Sequence, residues 1–88
     1  MPKSIFVLLV EDDPDDVLLI REEISKLGIS ALSLKNVDYL AKGLDFLAEH
    51  EVDVVLLDLN LPDSTGLETV VRVKREHPTV PVVVLTGL

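Results

Sequence analysis

Residues 52–58 read VDVVLLD, a short apolar run that ends in an aspartate, Asp58. Apolar runs of about four to eight residues, rich in β-branched side chains, are typical of strands buried on both faces of a parallel sheet. Residues 52–57 therefore predict a buried strand. Two further runs of the same kind, residues 5–10 and 80–85, predict two more.

Helical patterns separate these runs. Asp13 followed by Pro14 combines a capping carboxylate with a proline at the first helical position, so the first helix is predicted to begin there and to stop at Gly28. Apolar residues recur at helical spacing over residues 38–50, and again from about residue 65 until a proline at 78. These stretches predict the second and third helices.

A weaker stretch, residues 29–34, alternates apolar and polar residues and predicts a strand nearer the sheet edge. The resulting order, β-α-β-α-β-α-β, predicts a single α/β domain over residues 1–88. Alternation of this kind predicts right-handed crossovers and a mainly parallel sheet that is covered by helices. In such sheets ligands bind beyond the carboxyl ends of the strands, where the strand order reverses.

Composition excludes several classes of function. The chain has 16 Asp and Glu against 8 Lys and Arg, a net charge of −8, which disfavours nucleic acid or an anionic membrane as a direct partner. It has no cysteine, which rules out disulfides and thiolate chemistry, and no apolar run approaching the roughly 20 residues that span a bilayer. We expect a cytoplasmic protein.

Carboxylates follow two of the predicted strands. Glu11 and Asp12 come directly after the first strand, Asp58 follows the third, and Thr86 ends the fourth. Parallel strands bring these side chains to one sheet edge, where carboxylates about 4 Å apart repel one another by ~1 kcal/mol in water and by ~4 kcal/mol near a protein surface. A bound Mg²⁺ would relieve this repulsion and leave coordination positions for phosphate oxygens.

An aspartate beside Mg²⁺ can attack a phosphoryl group and form an acyl phosphate, so Asp58 is the candidate nucleophile. Thr86, at the end of the neighbouring strand, could donate a hydrogen bond to a phosphoryl oxygen. Asp13 is interpreted as the helix cap and not as a metal ligand.

Three segments together resemble the receiver domain of bacterial response regulators: VEDDP at 10–14, LLDLNLP at 56–62 followed by GLE at 66–68, and PVVVLTG at 81–87. The resemblance implies a doubly wound, flavodoxin-like parallel sheet between two helical layers, with strand order 2-1-3-4 over this chain and no fifth strand. It also implies a signalling domain, not a turnover enzyme, that accepts a phosphoryl group from a histidine kinase or phosphotransfer protein.

The resemblance assigns the site residues as well. Asp58 is the phosphoacceptor, and Mg²⁺ is held by Asp12, Asp58, the backbone carbonyl of Asn60 and, through water, Glu11. Thr86 is the switch residue that moves toward the phosphate, which repacks the far side of the domain.

One part of the family pattern is missing. A receiver domain continues with a helix, a fifth strand that ends in a lysine, and another helix, but this sequence reaches Leu88 directly after the switch threonine. Lys74 belongs to the third helix and cannot replace that lysine. We therefore expect a C-terminally truncated domain with weakened phosphotransfer and lost switching. Its fourth strand would form an exposed edge through which copies could form a homo-oligomer.

Other readings remain open. Glu11, Asp12 and Asp13 taken alone could be acids at a helix start, and Asp58 alone could make a local turn with Asn60 or Leu61. A Mg²⁺-dependent phosphohydrolase of haloacid-dehalogenase type would need a second aspartate two positions after Asp58, where Asn60 stands. A phosphate-independent interaction module is the third alternative. The coincidence of acidic residues and a threonine at the ends of three strands favours the phosphoacceptor.

Overall fold

The computed structural model describes residues 4–85 of the 88-residue chain. A four-stranded parallel sheet forms its centre, with three helices and a small two-stranded hairpin around it. The elements in chain order are β1 (Ile5–Val10), α1 (Pro14–Ser25), β2 (Leu32–Val37), α2 (Leu40–Glu49), β3 (Val54–Asp58), β4 (Asn60–Leu61), β5 (Ser64–Thr65), α3 (Glu68–Glu76) and β6 (Val82–Leu85).

The strand order of the main sheet is β2-β1-β3-β6, and all three strand pairs are parallel. The predicted doubly wound α/β fold with order 2-1-3-4 is therefore confirmed, β6 being the fourth strand. Because the order reverses between β1 and β3, right-handed crossovers place α1 on one face and α2 with α3 on the other. Among the helices of residues 4–85, none is both long and apolar enough to cross a membrane.

The main core lies between the sheet and helices α2 and α3. Leu8 and Val10 of β1 pack there, while Val7 and Leu9 alternate to the opposite face and are equally buried. Burial on both faces explains why this strand is apolar without interruption. The remaining buried members of the core cluster are Leu40, Leu44, Val55, Leu57, Leu61, Val73 and Val80.

The second strand lies three residues later than predicted, at Leu32–Val37 and not at 29–34. Ile5 of β1 pairs with Leu32, and residues 29–31 form the connection after Gly28, whose φ of 68° is left-handed. The prediction followed apolar residues and excluded Lys35 and Asn36. On this outer strand the Lys35 side chain faces solvent, and Asn36 makes hydrogen bonds to the backbone.

The third helix also begins later than predicted, at Glu68 and not near residue 65. Ser64 and Thr65 instead pair antiparallel with Leu61 and Asn60 as the hairpin β4-β5. The backbone N–H of Gly66 closes this hairpin by donating to the Leu59 carbonyl at 2.7 Å. The loop after Asp58 is therefore a structured element.

The outer edge of β6 pairs with no other strand in the part of the chain that the structure describes. Val83 is 49% exposed on this strand. Association of two copies through this edge stays a prediction.

Helix α2 approaches β1 closely at Gly43. A Cβ atom at this position would lie 3.1 Å from Cγ2 of Val10 and 3.6 Å from Cγ2 of Val37. Val10 is only 1% exposed, so its side chain has little space into which it could move. The glycine thus sets the distance between the helix and the sheet.

We expect Gly43→Leu to lower the free energy of unfolding by about 2 kcal/mol, because the larger side chain overpacks the contact with Val10. Urea unfolding followed by circular dichroism measures the change. Ala48→Leu is the matched control, since Ala48 is exposed on the same helix, and it should alter stability by less than ~0.5 kcal/mol. Equal stability of the two variants would show that Gly43 does not limit helix packing.

Candidate functional site

The sheet brings three carboxylates to one edge. Val10 of β1 is paired in register with Leu57 of β3, so the next residues along the chain, Glu11 and Asp58, lie side by side at the carboxyl ends of these strands. One carboxylate oxygen from each of Glu11, Asp12 and Asp58 lies within 4.8 Å of the other two. This cluster lies at the carboxyl ends of the two strands between which the strand order reverses, where ligands bind in folds of this type.

The three carboxylates differ in their environments. Glu11 is 2% exposed, Asp58 is half-buried and Asp12 is exposed. The Glu11 Oε1 atom accepts a hydrogen bond from the backbone N–H of Asp13 at 3.1 Å. Its Oε2 atom is buried and has no hydrogen-bond partner. A buried, unpartnered carboxylate oxygen is costly, which indicates that a proton or a cation completes this group.

Asp13 has a different role. Its Oδ1 atom accepts from the backbone N–H of Asp15 at 2.9 Å, and Pro14 follows at the first position of α1. The interpretation of Asp13 as the helix cap is therefore confirmed.

The loop after β3 orients Asp58. The backbone N–H of Asn60 donates to the Asp58 Oδ1 atom at 3.1 Å. This is the local turn that was the alternative reading of Asp58, and it coexists with the carboxylate cluster. The turn fixes the orientation of the carboxylate while Asp58 still faces Glu11 and Asp12. Thr86, the predicted switch residue, lies outside the described residues.

Burial and like charge raise the pKa values of two groups near the cluster. Burial raises the pKa of Glu11 to about 7, and repulsion from Asp58 and Asp16 adds to this effect, whereas the hydrogen bond from the Asp13 N–H opposes it. Once protonated, Glu11 can also donate a hydrogen bond to Asp58. The pKa of Asp16 is raised as well, first by desolvation and then by repulsion from Asp13 and Asp58.

This set of oxygens could hold a metal ion. A hard divalent cation binds carboxylate oxygens and would offset the repulsion that raises the pKa of Glu11. Lys74 does not contribute to the carboxylate cluster. Its Nζ atom donates to the Val80 carbonyl at 2.7 Å, near the amino end of β6, whereas the cluster lies at the carboxyl ends of the strands. This agrees with the prediction that Lys74 cannot act at the site.

Three residues near the site were missed by the sequence interpretation. No role was predicted for Asp16, although it lies in the first turn of α1 and repulsion from Asp58 and Asp12 contributes to its raised pKa. Asn36 donates to the carbonyls of Leu9 and Glu11 at 3.0 and 3.2 Å. Asp63 accepts from two backbone N–H groups of α2. The sequence carries a signal only for Asp16, because the partners of the other two are distant in the chain.

In the absence of divalent metal, the unfolded chain releases the Glu11 proton near pH 4.5, whereas the folded protein keeps it up to about pH 7. The free energy of unfolding therefore falls as the pH rises across this interval. Glu11→Gln removes the titration. We expect wild type and variant to be similarly stable at pH 4 and the variant to be more stable at pH 8, by an amount on the order of 2 kcal/mol.

Urea unfolding in a chelator at both pH values measures this difference. Mg²⁺ added at pH 8 should stabilise the wild type more than Glu11→Gln. Parallel stability profiles for the two proteins would contradict the assignment of a raised pKa to Glu11.

Comparisons with known proteins agree with the fold. The chain is 33% identical over 89 residues to the polar-differentiation response regulator DivK of Brucella anthropi, covering 99% of this chain and 68% of that protein. It is 32% identical over 80 residues to the response regulator protein PilR of Pseudomonas aeruginosa, covering 91% of this chain. The chain spans only 17% of the length of PilR.

Solved structures give the same result. The MaeR response regulator bound to beryllium trifluoride superimposes with a TM-score of 0.83 at 28% identity, covering 96% of this chain and 68% of that one. The bacteriophytochrome response regulator RtBRR gives a TM-score of 0.82 at 32% identity, covering 98% of this chain and 58% of that one. The family model of the response regulator receiver domain matches residues 7–88. This chain thus belongs to the response regulator receiver domain family.

Proposed function

We propose that residues 1–88 form a phosphoacceptor domain of a two-component system, in which Asp58 receives a phosphoryl group with Mg²⁺. The observation that carries this proposal is the carboxylate cluster: oxygens of Glu11, Asp12 and Asp58 lie within 4.8 Å of one another. Asp58 ends a central strand and is half-buried, so it is accessible at the same edge as the two other acids. Receiver domains are signalling modules, which accords with this role.

The chemistry of the donor set fits Mg²⁺. Asp12 and Asp58 would hold the ion directly, together with the backbone carbonyl of Asn60, and Glu11 would act through water. The unpartnered Oε2 atom of Glu11 supports this assignment, because a cation shell would satisfy it. When bound, Mg²⁺ supplies charge neutralisation for the oxygens of the transferred phosphoryl group.

In the proposed reaction an oxygen of the ionised Asp58 carboxylate attacks the phosphorus atom of a phosphohistidine. The P–N bond breaks, its electron pair stays on the imidazole nitrogen, and an acyl phosphate forms on Asp58. The Asn60 N–H, which donates to Asp58 Oδ1, holds the carboxylate in one orientation for this attack. Thr86 is the proposed contact to a phosphoryl oxygen, in keeping with its place in the sequence after β6.

The donor is a histidine kinase or a phosphotransfer protein, the partners with which receiver domains interact. MaeR is similar in fold and carries beryllium trifluoride. We propose that the Asp58 site of this chain binds the same ligand when Mg²⁺ is present.

Incubation with acetyl phosphate and Mg²⁺ should add one phosphoryl group to the chain, detected as a mass increase of the intact protein. Asp58→Asn should remove the labelling, because an amide cannot act as the nucleophile. Omission of Mg²⁺ should reduce the labelling strongly.

Asp53→Asn is the matched control, since Asp53 is an exposed carboxylate near the amino end of β3 and should leave labelling unchanged. Labelling of Asp58→Asn at the wild-type level would refute the proposed acceptor. Absence of labelling in a folded wild type would favour the phosphate-independent interaction module instead.

A further inference from the structure

Helix α2 is capped by a residue from the phosphoacceptor loop. The preceding residue, Tyr39, makes no capping hydrogen bond with its side chain. Asp63 caps the helix instead. Its Oδ1 atom accepts from the Leu40 N–H at 2.8 Å, and its Oδ2 atom accepts from the Ala41 N–H at 2.9 Å. Both carboxylate oxygens are thus used on N–H groups that the helix itself leaves unpaired.

Asp63 lies in the turn of the hairpin β4-β5. On one side of the turn, Leu61 is 3% exposed and belongs to the main core. On the other side, the Ser64 Oγ atom lies 2.7 Å from the Oγ1 atom of Thr69, a fully buried residue of α3. The hairpin is therefore fixed to both helices of this face, to α2 through Asp63 and to α3 through Ser64.

The same hairpin begins with Asn60, whose N–H donates to Asp58 Oδ1 at 3.1 Å. Asn60 pairs with Thr65, and Leu61 pairs with Ser64, so the two ends of this short element cannot shift independently. A displacement of Asp63 from α2 would move the hairpin and with it the Asn60 backbone. Continuous contacts thus connect the helix start with the phosphoacceptor.

We propose that Asp63 is a positioning residue: by capping α2 it holds the Asn60 backbone where it orients Asp58 and completes the metal site. This inference rests on the proposed function, because it assigns to Asp63 a role in the affinity of that site for Mg²⁺. It adds a residue that touches neither the metal nor the phosphoryl group.

The charge of Asp63 suits this role. Desolvation acts to raise the pKa of Asp63, but hydrogen bonds from the Ala41 and Leu40 N–H groups lower it below its ordinary value, with help from the positive charge of Arg72. The carboxylate therefore stays ionised at neutral pH, and the positive end of the α2 dipole strengthens the contact.

A cap that only stabilised the helix would lower stability when removed and leave metal affinity unchanged. The two roles are separated by measuring Mg²⁺ affinity and urea stability on the same variants. Mg²⁺ is titrated into the ¹⁵N-labelled, unphosphorylated 88-residue chain. The amide NMR signals of Asp12, Asp58 and Asn60 are recorded during the titration. The amide signals of Leu40 and Ala41 report whether the cap is intact.

We expect Asp63→Ala to weaken Mg²⁺ binding about tenfold, as is usual when a group that supports a metal ligand is removed. Asp63→Asn keeps one acceptor oxygen and should give a smaller loss, which also provides a readout if the alanine variant does not fold. Asp53→Ala is the control, because Asp53 Oδ2 accepts from the Phe6 N–H at 2.7 Å at the opposite end of the sheet. It should lose stability and keep the wild-type affinity.

Equal Mg²⁺ affinity in wild type and in both folded Asp63 variants would overturn the positioning role and leave the proposed function standing. Equal losses of affinity in Asp63→Ala and Asp53→Ala would also overturn it, since the effect would then follow stability alone. Absence of any saturable shift at Asp12 and Asp58 in the wild type would instead remove the proposed metal site, and the role of Asp63 with it.

Discussion

The parallel pairing of β1 with β3 is the constraint on which the rest of the structure depends. Once Val10 lies beside Leu57, the residues that follow them must share one edge of the sheet, and these residues are acids. Val10 and Leu57 are 1% and 0% exposed, so core packing holds the register against the repulsion between Glu11 and Asp58. Hydrophobic burial thus stabilises an arrangement of charges that would separate if the strands were free.

Two sets of hydrogen bonds support the carboxylate cluster, one at the end of β1 and one at the end of β3. Asn36 donates to the carbonyls of Leu9 and Glu11 and so holds the segment that follows β1. On the β3 side, Asp63 joins the loop that follows Asp58 to α2. Both contacts are hydrogen bonds between a side chain and backbone groups that are distant in sequence. Supporting contacts of this kind hold the residues of a site in place.

The α/β fold and the carboxylate cluster could be predicted from local patterns, whereas the strand order 2-1-3-4 came from the resemblance to receiver domains. Continuous apolar runs identify buried strands, and acids directly after two such runs must meet if the strands are parallel neighbours. The position of β2 was predicted wrongly, because the polar residues Lys35 and Asn36 are acceptable in an outer strand when Lys35 faces solvent and Asn36 binds backbone carbonyls. Local sequence patterns could not predict the cap of α2, since Asp63 lies 23 residues from Leu40 in the chain.

The two outer strands of the sheet present different surfaces to their surroundings. β2 exposes Ser33 and the cationic Lys35 along its length, whereas every residue of β6 is aliphatic. A charged edge resists addition of a foreign strand because the ammonium group would lose its hydration, and an aliphatic edge offers no such resistance. Within residues 4–85, the two outer strands therefore differ in what they would offer an incoming strand: pairing beside β6 would meet no charged side chain, whereas pairing beside β2 would meet Lys35.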